Sequence, residues 1–367
     1  MPLWASTRNI SVIPLVASTI CWVFNLFYAH SCQFTLKVPM EVSKKPEAWQ
    51  AIVKKYQEPS TPKALWQLAN SLGAYAATWV AIAWSLSVSY WLAAVLTLLA
   101  GGFLVRVFII FHDCGHGSFF KYKRANDVLG YITGVLTFTP YALWRKEHAI
   151  HHSTSGDLDR RGIGDVPTMT VEEFHAAPRW KQLGYRFIRN PFVLFGIGPL
   201  VLFLIKHRMV LSKTASPQER RSVHWTNLGI LGMIVVMSFL MGFLPYLLVQ
   251  IGAIAVAGSA GTWLFYVQHQ FEGVTWERKE DWDFFEAAIQ GSSFYKLPKM
   301  LQWFSGNIGY HHIHHLSPRI PNYHLERCHE AEPLFQKVPP VTLLSSLKCL
   351  TYRLWDETHQ KLVGFQR

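Results

Sequence analysis

The 367 residues carry 35 Lys and Arg against 23 Asp and Glu, a net charge of +12, yet only 16% are charged and 50% are hydrophobic. This balance excludes an intrinsically disordered chain. The five cysteines, Cys21, Cys32, Cys114, Cys328 and Cys349, are odd in number, scattered and form no C-x2-C pair, which excludes a disulfide scaffold, a zinc ribbon and an iron–sulfur site.

Taken in chain order, residues 10–31 are apolar and long enough for an extra helix, whereas Met40 opens a polar run that would serve as an ordinary N-terminus. Residues 1–39 are therefore read as an N-terminal apolar extension, dispensable or untranslated, and residues 40–63 as a cytoplasmic lead-in. No Asp, Glu, Lys or Arg falls between Lys63 and Arg106, a stretch of 42 residues, or between Arg221 and Glu272, a stretch of 50. A bilayer span takes about 20 apolar residues, so each stretch accommodates a hairpin of two helices. The expected hairpins cover 64–111, turning at Ser85–Ser89, and 225–267, turning around Pro245. Their flanks are basic: Lys54, Lys55 and Lys63 before the first, Lys121, Lys123 and Arg124 after it, Arg220 and Arg221 before the second. The positive-inside rule places those flanks in the cytoplasm and accounts for the excess charge without nucleic acid.

Two shorter apolar stretches, 128–144 and 191–205, are constrained by parity. A single crossing between the histidine runs described next would put them on opposite membrane faces, where they could not share a site. Both stretches are therefore expected to be interfacial or re-entrant, which Pro140, Pro191 and Pro199 favour. This leaves a cytoplasmic segment at 112–224 and a second at 268–367.

Those segments hold three histidine runs: His112-Asp113-Cys114-Gly115-His116, His148-Ala149-Ile150-His151-His152 and His311-His312-Ile313-His314-His315. On a helix, H-x3-H puts two imidazoles on one face and H-x2-H-H puts three at i, i+3 and i+4, which is metal-ligand spacing. Imidazole alone does not name the metal, but the runs supply twice the ligands that one tetrahedral zinc needs. Asp113, Glu147, Asp157 and Asp159 lie close enough in sequence to accept the outer ring N–H of a ligand. Cys114 reads as a small packing residue. Trp144 and Arg145, directly before the second run, suit contact with substrate or interfacial anchoring.

The runs His112–Ser118, Trp144–His152 and Gly306–His315 resemble the three histidine boxes of integral-membrane fatty acid desaturases. Ser155–Gly162 and Ile320–Tyr323 are similar to the acyl-lipid branch of omega-6 or delta-12 type, and the likeness covers roughly residues 50–335. The resemblance implies an all-α membrane protein with four spans and a cytoplasmic helical cap over a di-iron site. Its eight box ligands fall on His112, His116, His148, His151, His152, His311, His314 and His315, and its ninth on His269, just after the last span. His312 is then about 100° around the helix from His311 and is read with Asp113, Asp157 and Asn307 as a group supporting the ligands. Phe265 stands where some relatives carry asparagine, so a water there would need Asn307 or Gln268. O2 is implied as co-substrate and a ferredoxin- or cytochrome b5-type protein as separate electron donor. The implied substrate is a fatty acyl lipid or acyl thioester.

A hydroxylase, acetylenase or ketolase of the same superfamily would share this spacing. A zinc hydrolase would be expected to show H-E-x2-H, which is absent, and a metal transporter ionisable residues at mid-membrane, which both hairpins lack. A bis-histidine haem carrier would place single histidines within the spans rather than clustered beyond their ends.

Overall fold

The structure, a computed structural model, describes residues 49–365; the apolar stretch 10–31, Cys21, Cys32 and the extension 1–39 lie outside the described residues. After a short helix Trp49–Lys54, the first long helix, α1, runs as Thr61–Leu68, a π segment Ala69–Gly73 and Ala74–Ser85. The turn that follows lies where the sequence predicts it. Ser89 caps the N-terminus of α2 (Tyr90–His116), and Gly117 closes it in the left-handed region at φ 69°, a conformation glycine adopts without steric cost. Then come α3 (Lys123–Leu136) and α4 (Tyr141–Thr154).

The second apolar pair is α5 (Pro217–Met241) and α6 (Phe243–His269). A capping box between Ser216 and Glu219 starts α5. The break between the two lies at Gly242, with φ 87°, in the expected region around Pro245. Pro245 sits in the first turn of α6, where its missing N–H costs no helical hydrogen bond. Among the described residues three helices, α2, α5 and α6, are long and apolar enough to cross a membrane, and Arg179–Ile188 with Val193–Arg208 forms a fourth such unit bent by 62°. The stretch 128–144 is divided between α3 and α4.

The chain is mainly helical, as the all-α expectation has it, with only a few short strands among the described residues. A three-stranded sheet, β1 (Met169–Thr170), β4 (Leu354–Asp356) and β5 (Lys361–Val363), and a two-stranded one, β2 (Phe294–Lys296) with β3 (Pro340–Thr342), stitch the C-terminal part. Strands of two or three residues are too short to show the alternation by which strands are read.

Helices α2 and α6 make the closest pairing. A Cβ on Gly101 would lie 2.5 Å from Val256, and one on Gly252 would lie 2.9 Å from Thr97, so the backbones touch through small residues. The contacts advance in the same direction along both helices. The two therefore run parallel, and their C-terminal ends, His112–His116 and His269, emerge at one side.

Arg106 shows how the first of those ends is tied to the third box. It is 6% exposed, well inside α2 rather than at its charged edge. Its Nε donates to Ser71 Oγ at 2.8 Å and an Nη to Asn70 Oδ1 at 3.2 Å, both in the π segment. The other Nη donates to the Trp303 carbonyl, and the guanidinium lies 3.9 Å from the Trp303 ring centroid. Trp303 belongs to α7 (Lys299–Phe304), which leads into α8 (His311–Leu316). Arg106→Leu is expected to leave these acceptors unpaired and to cost about 1–3 kcal/mol, read as a lower thermal midpoint in detergent.

Candidate metal centre

Four helices deliver the histidines. Box 1 ends α2, box 2 lies in α4, box 3 makes up most of α8, and His269 ends α6. Box 1 faces one target, whereas boxes 2 and 3 each divide between two, the i and i+4 members facing one and the remaining member the other. His112, His116, His148, His152 and His314 form one group of converging ring nitrogens, and His151, His269, His311 and His315 form a second; within each group these atoms lie within 4.8 Å of one another. All nine histidines singled out in the sequence fall in these two groups.

The contacts within the groups fit a cation at each centre. His152 Nε2 lies 3.1 Å from His148 Nε2 and 3.0 Å from His314 Nε2, and His311 Nε2 lies 3.0 Å from His269 Nε2. One ring nitrogen carries one proton at most and cannot donate to two others. Two imidazole nitrogens bound about 2.1 Å from a shared ion at right angles would stand about 3.0 Å apart. The Nε2 atoms of His116, His151 and His315 are buried without a hydrogen-bond partner, an expensive state unless something else accepts their lone pairs. Burial first, and neighbouring histidines second, holds His148, His152, His311, His314 and His315 well below the usual imidazole range. They are neutral at pH 7, as ligands must be. His152 and His315, one from each group, stack with centroids 4.2 Å apart.

Outer contacts fix the ring orientations. His112 Nδ1 lies 3.1 Å from Asp113 Oδ1, whose second oxygen accepts from the backbone N–H and the Nδ2 of Asn322 at 2.7 and 2.8 Å. This couples box 1 to α9 (Asn322–Ala331). His269 Nδ1 faces the Gly291 carbonyl at 3.3 Å. His151 Nδ1 lies 2.6 Å from Asp165 Oδ1, and the other oxygen accepts from the Gly162 N–H at 2.8 Å. Sequence reasoning missed Asp165, Asn322 and Gly291. For Asp165 the available signal was an acidic residue in a glycine-rich loop after box 2, with Gly164 at φ 77° letting the loop close against His151.

Other candidates are placed elsewhere. Asp157 touches none of the nine histidines: it caps the N–H groups of Asp159 and Arg160 and pairs with Arg160 Nε at 2.5 Å. Asp159 pairs with Arg278 at 2.7 Å. Asn307, in the left-handed region at φ 60°, bonds Asn322 and Gln302, one step removed from Asp113. Gln268 donates to the Ile308 carbonyl at 2.9 Å. His312 points away from both groups and packs with Phe294, His329 and Phe335. Its offset on the helix is the reason. Trp144 stacks on His148 with centroids 4.3 Å apart, and Arg145 reaches Asp127 Oδ1 at 3.3 Å. Phe265 lies with its ring centroid 5.1 Å from those of both His151 and His269. Cys114 is buried and packs among Ile110, Phe111 and Phe119.

A family model described as fatty acid desaturase matches residues 89–342. The chain is 49% identical over 311 residues to a fatty acid desaturase of Bacillus subtilis, covering 85% of this chain and 88% of that protein. The chain belongs to the fatty acid desaturase family. More distant similarity, 28% identity over 282 residues, links this desaturase to an sn-1 oleoyl-lipid 12-desaturase of Synechocystis sp., over 74% of this chain and 76% of the relative. An sn-1 acyl-lipid omega-3 desaturase (ferredoxin) of Nostoc sp. is 28% identical over 243 residues, 64% of this chain and 65% of that protein. The desaturase is thus an oxidoreductase of fatty acid metabolism, with histidine clusters compatible with a di-iron site.

Proposed function

We propose that this desaturase introduces a double bond into the acyl chain of a membrane lipid, using O2 and two irons held by the nine grouped histidines. The observation that carries the reading is the division of those histidines into two adjacent groups of five and four. Ten or more coordination positions on two ions exceed nine ligands, so places stay open for an exogenous molecule. The bound irons would supply the redox chemistry that activates O2 toward unactivated C–H bonds. The overall conversion balances when two adjacent methylenes lose two hydrogens, one O2 becomes two waters, and a donor supplies two electrons with two protons.

The chain's own part is orientation and exclusion of water. Asp113, Asp165 and the Gly291 carbonyl hold the rings of His112, His151 and His269 in fixed directions. Burial of the cluster keeps bulk water from the reacting centre. No side-chain acid or base beyond the ligands is invoked. Trp144, packed on His148, and Arg145 are proposed to border the acyl path.

For topology we propose two membrane hairpins, 64–111 and 225–267, with the histidines in the cytoplasm. The basic flanks support this, as does the parallel course of α2 and α6. Two spans that run the same way require an odd number of crossings between them, and α5 supplies that one. The bent pair Arg179–Arg208 is then re-entrant. The acyl-lipid substrate is supported by the names of the Synechocystis and Nostoc relatives, and a separate ferredoxin- or cytochrome b5-type donor by the word ferredoxin in the second.

Metal analysis and lipid profiling test the proposal together. Purified protein is expected to hold two irons per chain. Expression in a host of defined lipids is expected to add unsaturated chains, and His151→Ala to remove them. Stoichiometric zinc, or hydroxylated chains as the sole new product, would overturn it.

A further inference from the structure

Away from the histidine groups, a cavity of about 280 Å³ lies between β2, the start of α7, the Gly309–Tyr310 turn and α9. Its size is at the small end of ligand pockets, suited to a polar head rather than a whole lipid. Its charges are arranged in two layers. Lys299 pairs with Glu326, which also accepts from Tyr310 Oη at 3.4 Å, so this pair is neutralised. Lys296 on β2 and Glu330 on α9 line the same cavity and are exposed, and neither forms an ion pair among the described residues. A cation and a carboxylate that form no ion pair among the described residues thus border one pocket, Glu330 also lying within electrostatic reach of Lys299. His329, 9% exposed, lines it as well, and its Nδ1 is buried without a partner.

The helix that borders the cavity through Lys299 and Gln302 also carries exposed apolar side chains. On α7, Met300 is 70% exposed, with Leu301 and Trp303 also outward, while Arg106 holds the Trp303 carbonyl from α2. A short helix with its cation at one end and bare apolar side chains along it matches a segment lying at a membrane surface.

We propose that this cavity receives the zwitterionic phosphoamine headgroup of a membrane lipid, its phosphate against Lys296 and its ammonium against Glu330, with His329 Nδ1 hydrogen-bonded inside. An anion alone would meet Glu330, and a cation alone Lys296. The inference rests on the membrane placement of the chain and not on the chemistry at the histidines.

The test is isothermal titration of the full chain in detergent with a water-soluble dihexanoyl phosphatidylethanolamine. Parallel arms use dihexanoyl phosphatidylglycerol, free phosphoethanolamine, and the ethanolamine lipid on Lys296→Ala, Glu330→Ala and the remote control Lys121→Ala. The expected result is tightest binding of the ethanolamine lipid, weakened about fivefold in each of the two cavity variants, with the control and all melting temperatures unchanged. Equal affinity for the glycerol lipid, or wild-type affinity in both cavity variants, would overturn the proposal. Free phosphoethanolamine binding as tightly as the lipid would overturn the membrane source. Running the titration on His151→Ala as well separates this outcome from the desaturase reading, because headgroup binding there is expected to persist when activity is gone.

Discussion

His152→Ala is expected to lower desaturation by more than about a hundredfold, beyond the range seen for outer supporting groups. His152 Nε2 stands 3.0 Å from His314 and 3.1 Å from His148, and its ring stacks on His315 of the other group. Removing it takes one of five donors from the first group and the packing partner of one donor from the second. Iron per chain, measured on protein purified without added metal, is expected to fall for both positions rather than one. Lipid profiles of the expressing strain report the lost activity. Wild-type iron content with normal unsaturation in this variant would sink the assignment of His152 as a ligand.

The second large effect concerns Asp165, whose carboxylate lies 2.6 Å from His151 Nδ1. Asp165→Asn keeps the size but removes the charge that raises ligand basicity, and is expected to weaken iron retention by about 10–100-fold. Competition against a graded series of chelators measures it. Asp157→Asn is the matched control: that carboxylate serves Asp159 and Arg160 and no box histidine, so its effect on iron is expected to be absent. If the two variants lose iron alike, the Asp165 contact has no special role.

The histidine arrangement was legible in the sequence because it is local. Spacing of three and four on a helix gathers the imidazoles of each run on one side, whereas their division between two groups is visible only in the structure. The long apolar helices α2, α5 and α6 were legible for a similar reason, since long uncharged stretches have few other uses. What was not legible depends on loops and on chain segments far apart. Asp165 reaches His151 across a turn whose path is set by Gly162 and Gly164, and Asn322 reaches Asp113 from the far side of box 3. Asp157 looked equally suitable by distance along the chain, but a tight turn uses its oxygens on neighbouring N–H groups. His312, adjacent to a ligand in sequence, is turned about 100° around the helix from it and packs with Phe294, His329 and Phe335. Arg106 read as the charged edge of a span, yet the π segment of α1 supplies Asn70 and Ser71 as acceptors inside. No periodicity announces such a bulge.

The sharing of α4 and α8 between both groups has a mechanical consequence. His148 and His152 face one centre and His151 the other, while His311 and His315 face the second and His314 the first. A roll or tilt of either helix displaces donors of both centres at once. Neither position can be shaped alone, so an ion at one centre is expected to preorder the other, which a metal titration would read as cooperative uptake.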